Sequence, residues 1–105
     1  NARHLGEFLK SELERLAQTH PHVIKAVRGL GLMIGFELAA KERIPGLASS
    51  DKTASLQFVN RLHEAGLLTI PAGAQVVRLL PALNLQRSQA EEAVAIIQRV
   101  VKSLA

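Results

Sequence analysis

Residues 27 to 38 read VRGLGLMIGFEL, and from Leu32 onward large apolar residues alternate with others: Leu32, Ile34, Phe36 and Leu38, interleaved with Met33, Gly35, Glu37 and Ala39. A side-chain period of two is a strand pattern. This feature constrains the chain most, because it decides what the glycines before it can do. A dinucleotide-binding loop needs G-x-G-x-x-G between a strand and a helix, so that free N–H groups at the helix start meet a pyrophosphate. Here the glycines are Gly29, Gly31 and Gly35, the last spacing is one residue too long, and a strand follows in place of a helix. No Gly-Lys-Ser/Thr follows either, so a Walker loop is excluded. The stretch reads as a hairpin turned at Gly29-Leu30-Gly31, where glycine admits positive φ without a Cβ clash.

The remaining elements follow from period and punctuation. Leu5, Phe8, Leu9, Leu13 and Leu16 fall on one face of a helix over residues 2 to 18, which Pro21 closes. The hairpin occupies residues 23 to 28 and 32 to 39, and the polar stretch AKERIPGLASSDK is a loop. Ser50 or Asp51 caps a second helix bearing Leu56, Phe58, Val59, Leu62 and Ala65, which stops at Gly66. LLTIP and QVVRLLP are two short strands joined through Ala72 and Gly73. Ser88 with Glu91 forms a capping box for a last helix, whose apolar face is Ala93, Val94, Ile97, Val100, Val101 and Leu104. The order α-β-β-α-β-β-α, with short connections, predicts an α+β two-layer sandwich: a small, mostly antiparallel sheet with helices on one face. If the opposite face is apolar, another domain or a partner subunit has to cover it.

A chain of 105 residues is a single domain, and an apolar fraction of 48% without low-complexity tracts predicts a folded one. No apolar run approaches a membrane span, and the charged amphipathic start is no signal peptide. The absence of cysteine excludes disulfides and thiolate metal sites and fits a cytoplasmic setting. The net charge of +4 is scattered, usually beside acids, as with Lys10 near Glu12 and Arg61 near Glu64. With no Tyr or Trp and no basic run, neither a nucleic-acid partner nor a membrane partner is expected. Asn1 opens directly into a helix, as in a piece of a longer protein.

One side chain stands out for chemistry. Strand alternation in VVRLLP places Val76, Arg78 and Leu80 on one face and Val77 and Leu79 on the other, so Arg78 sits among apolar neighbours. A guanidinium there wants a carboxylate, from a ligand or from an internal acid, unless its stem merely snorkels to water. Pro81 ends that strand. The histidines carry less. His20 and His22 lack the i,i+4 spacing of a helical metal pair, and His4 and His63 read as ordinary surface residues, so no metal is expected. Glu37 pairs with Arg28 across the hairpin in a structural role.

Taken together, VRGLGLMIGFEL, LHEAGLLTIPAGAQVVRLLPALN and SQAEEAVAIIQRVV resemble the C-terminal end of the class III (ornithine-type) pyridoxal-phosphate aminotransferases, over nearly the whole chain. AGAQVVRLLPALN matches the pattern A-G-x-x-V-[IV]-R-[LF]-x-P-P-L, departing at Ala82, where a second proline is usual. The resemblance implies that residues 1 to 105 are the small C-terminal domain of a larger enzyme, packed on a large cofactor-binding domain and working as a homodimer. It implies an enzyme of arginine biosynthesis that moves the ω-amino group of acetylornithine- or ornithine-like amino acids to 2-oxoglutarate. Arg78 is then the contact for the substrate carboxylate, or for a neighbouring glutamate that gates it, while Gly29, Gly31 and Gly73 hold turns. The lysine that carries pyridoxal phosphate lies in the large domain of such enzymes, and none of Lys10, Lys25, Lys41, Lys52 and Lys102 matches it. The chain alone is therefore expected to hold no catalytic residue, to bind no pyridoxal phosphate and to be inactive. The alternative is a stand-alone small-ligand-binding or interaction domain without catalysis.

Overall fold

In a computed structural model, which describes residues 2–30, 33–80 and 86–104, the order of elements is the expected α-β-β-α-β-β-α. Helix α1 spans Ala2–Thr19, strands β1 and β2 span Ile24–Leu30 and Met33–Leu38, and helix α2 spans Ala54–Glu64. Strands β3 and β4 span Thr69–Ala72 and Val76–Leu79, and helix α3 spans Arg87–Leu104. One antiparallel sheet holds the four strands in the order β1-β2-β4-β3. The architecture is the predicted α+β sandwich, because the alternating strands have one apolar face and the helical stripes bury it.

That face is built from Ile34, Phe36 and Leu38 of β2 and Val77 of β4, all buried. Phe36 and Val77 are register partners, so one layer of side chains crosses the two central strands. Leu5, Leu9, Leu13 and Leu16 of α1 and Phe58 and Leu62 of α2 close over it. The Phe36 and Phe58 rings meet edge to face, 5.4 Å between centroids, the geometry their quadrupoles favour. Helix α3 contributes Ile97, Val101 and Leu104 to the same cluster and packs against α1 and α2. Phe8 is half-buried, and the Arg87 guanidinium stacks 3.9 Å above its ring.

Several boundaries differ from the sequence reading. Strand β1 continues through Gly29, paired with Ile34, to Leu30, paired with Met33. The hairpin connection therefore falls after Gly29 rather than on it, and Gly31 lies outside the described residues. Helix α2 is capped by Thr53, whose Oγ1 accepts the Leu56 N–H, and not by Ser50 or Asp51. Ser50 instead accepts the Lys52 N–H in a local turn before the helix. Helix α3 starts one residue earlier than Ser88. Gln89 reaches back with Oε1 to accept the Gln86 N–H at 2.9 Å, while Glu91 pairs with Arg87 along the helix. Gln89 makes the back-reaching half of a capping box, three residues past Gln86, and the box read at Ser88 and Glu91 does not form. The end of α2 is as read: Gly66 has φ +100, the left-handed value that terminates helices. Pro81 and Ala82 lie outside the described residues.

Candidate carboxylate site on the open sheet face

The second face of the sheet has no helix over it among the described residues. Register pairing lays Arg28 of β1, Gly35 of β2, Arg78 of β4 and Ile70 of β3 in one row across it. The next row is Ala26, Glu37, Val76 and Ala72. Arg78 is exposed, since its neighbour Val77 is fully buried and the pleat turns alternate residues outward. The placement of Arg78 among apolar neighbours does not bury it. Its apolar neighbours are real, but they stand on the uncovered face: Ile70 is 42% and Leu80 49% exposed, with Leu68 at 61% just before β3.

The charges on this face are unevenly matched. Glu37 lies 3.5 Å from the Arg28 guanidinium and 3.7 Å from the Lys25 ammonium, so the expected cross-hairpin pair forms and one carboxylate serves two cations. Beyond the backbone ladder, no hydrogen bond or ion pair ties the Arg78 side chain to another described residue. Its five N–H donors are free for an incoming acid, and the fork of a guanidinium suits a carboxylate in bidentate fashion.

The strand that carries Arg78 is pinned at its start. Gly73, with φ +72, opens the β3–β4 turn. Buried Ser55, in the first turn of α2, donates its hydroxyl to the Gly73 carbonyl at 2.6 Å and its N–H to the Ala74 carbonyl at 3.0 Å. From the other side, Gln75 donates through Nε2 to the Leu38 carbonyl at 2.9 Å, and its own carbonyl accepts the Leu38 N–H. Sequence reasoning passed over Ser55 and Gln75. The signal available was a polar Ser55 beside Ala54 at the start of an otherwise apolar helical stripe.

The other candidates are dispersed. The His20 and His22 rings meet edge on at 6.0 Å, and His63 is exposed on α2. Among the described residues no group of three His, Asp or Glu side chains is placed to hold a metal. The five lysines lie apart. Lys10 and Lys41 reach backbone carbonyls of Gly29 and Ser50, Lys25 faces Glu37, and Lys52 and Lys102 are exposed. No described helix is long and apolar enough to cross a membrane.

The chain belongs to the class III aminotransferases, whose family model matches residues 1–101. Enzymes of this class depend on pyridoxal phosphate. Within it, the chain is similar to acetylornithine aminotransferases. That of Bacillus cereus is 36% identical over 96 residues, covering 91% of this chain and 21% of the relative. That of Synechocystis is 31% identical over 104 residues, covering 99% of this chain and 22% of the relative. The crystal structure of acetylornithine aminotransferase from Elizabethkingia anophelis superposes with a TM-score of 0.82 at 27% identity, over 97% of this chain and 24% of that one. The chain thus spans about a fifth of the length of the curated relatives it matches.

Proposed function

We propose that these residues form the small, substrate-side C-terminal domain of a pyridoxal-phosphate-dependent transaminase. In this reading the enzyme moves the ω-amino group of acetylornithine or a related amino acid to 2-oxoglutarate, as a homodimer in the cytoplasm, within arginine biosynthesis. The observation that carries the reading is the Arg78 guanidinium, unpaired among the described residues and set among Ile70, Leu68 and Leu80 on the sheet face that no described helix covers. An isolated ligand-binding module has little reason to leave that apolar area open, whereas a domain docked on a larger body does.

The division of labour follows. The rest of the enzyme supplies the cofactor lysine and the electron sink on which amino transfer depends. This domain supplies Arg78, which binds and orients the substrate's carboxylate, and the apolar rim, which keeps water from that charge pair once the face is covered. Excluding water strengthens the pair by lowering the local dielectric.

The reading is tested by titrating pyridoxal phosphate into the 105-residue chain and, separately, into the longer protein that contains it. The longer protein takes up the cofactor saturably and transfers an amino group from acetylornithine to 2-oxoglutarate. The chain alone shows the non-saturating absorbance of surface lysine adducts and no transfer. A saturable single-site adduct on the chain alone would refute the assignment.

A further inference from the structure

The glycines of this chain differ in why they are glycines. Gly66 and Gly73 have φ of +100 and +72, which L side chains avoid. At Gly46 a Cβ would lie 2.5 Å from Leu104 Cδ2 and 3.2 Å from Leu104 Cα, so a side chain there collides with the end of α3. Gly35 lacks the first reason and has a milder form of the second. It sits in the middle of β2 without a positive φ, where glycine weakens a strand. A Cβ on Gly35 would meet the Val77 carbonyl oxygen at 3.0 Å, Arg78 Cγ at 3.5 Å and Arg78 Cα at 3.7 Å. All three belong to one short piece of β4. The start of the Arg78 side chain therefore leans across β2, over the bare backbone of its register partner.

From this geometry we infer that Gly35 is a positioning residue for the carboxylate site. The missing side chain leaves a lane on the open face between Arg28 and Arg78, and the stem of Arg78 lies in it. An alanine Cβ at position 35 would crowd the Val77 carbonyl oxygen at 3.0 Å, in the strand segment that carries Arg78, and would meet Arg78 Cγ only in ordinary contact at 3.5 Å. It therefore shifts the guanidinium through β4, and larger side chains also fill the lane and limit the rotamers of Arg78. A displacement of this size matters because bidentate recognition of a carboxylate has strict geometry. The inference rests on the substrate role proposed for Arg78, and it adds a residue that touches no substrate itself.

The test is a double-mutant cycle in the full-length enzyme, with acetylornithine as the varied substrate. Gly35→Ala raises KM about fivefold while kcat changes by less than about twofold. In an Arg78→Ala background the same alanine adds less than about twofold, because the side chain through which it acts is gone. Thermal melting of each variant is recorded alongside, since a Cβ at 35 also presses on the Val77 carbonyl. Equal KM effects in both backgrounds overturn the inference. So does a lowered melting point with unchanged KM, or a Gly35→Ala protein that fails to fold, for these assign the glycine to the pairing of β2 with β4. If Arg78→Ala leaves KM unchanged, the functional reading itself falls. If Arg78→Ala raises KM and Gly35→Ala does not, this inference alone is lost.

Discussion

Arg78→Ala in the full-length enzyme raises KM for the amino-acid substrate on the order of tens-fold, with a much smaller change in kcat, as loss of a charge-assisted bidentate contact requires. The split between the two constants follows from where the arginine acts. A carboxylate distant from the reacting amino group keeps its charge through the reaction, so its contact holds ground state and transition state alike, and losing it weakens binding. The size of the effect depends on how dry the closed site is. Arg78 is exposed in this chain, and the contact gains strength when the surrounding apolar rim of Leu68, Ile70 and Leu80 is covered. Arg78→Lys recovers only part of the loss, because an ammonium keeps the charge without the fork. Steady-state kinetics over a range of substrate concentrations checks both variants. An unchanged KM for Arg78→Ala would remove this residue from the substrate site.

The second large effect is on stability. Phe58→Ala destabilises the fold by about 3–5 kcal/mol, the range for truncating a buried aromatic. Phe58 is fully buried, meets Phe36 edge to face, and sits where α2 closes over the central strands. Phe36 in turn is the register partner of Val77, next to Arg78. The cavity left by Phe58 opens beneath β2 and β4, the two strands that carry Gly35 and Arg78 on their other face. A loss of this size is a large part of the roughly 5–15 kcal/mol that holds a small domain together. Urea denaturation followed by circular dichroism measures it, and a loss below about 1 kcal/mol would contradict the assignment of Phe58 to the core. Leu56→Ala is the control on the same helix, because Leu56 is 38% exposed and a surface truncation changes stability by only about 0.5 kcal/mol.

Period and punctuation made the fold legible. The alternation through Ile34, Phe36 and Leu38 gave a strand, Leu32 lying outside the described residues, and the stripes Leu5-Leu9-Leu13-Leu16 and Ile97-Val101-Leu104 gave helices whose buried faces are those found. Helix starts were less legible, because several polar residues near each start can accept an N–H, and tertiary packing selects among them. Thr53 won over Ser50 and Asp51, and Gln89 did the work read for Glu91. Glycine was ambiguous for a related reason: in a run such as GLG, sequence does not say which residue leaves the ladder, and Gly29 stayed in it.

The site was legible in part. Alternation separated Arg78 from Val77, but it could not say which face the helices cover. That depended on Phe36 and Val77 falling in register, a long-range fact. Ser55 and Gln75, which pin the turn before Arg78, make their bonds to residues 18 and 37 positions away. No local pattern encodes such pairs. The assignment of a reaction came from resemblance, and composition supplied only exclusions.

The most direct measurement is a crystal structure of the full-length protein with a dicarboxylate substrate analogue bound. The open face of the sheet, with Leu68, Ile70 and Leu80, should then lie covered, and the Arg78 guanidinium should donate to a carboxylate at hydrogen-bond distance. A structure in which that face stays in solvent and Arg78 points away from every acid would contradict the account.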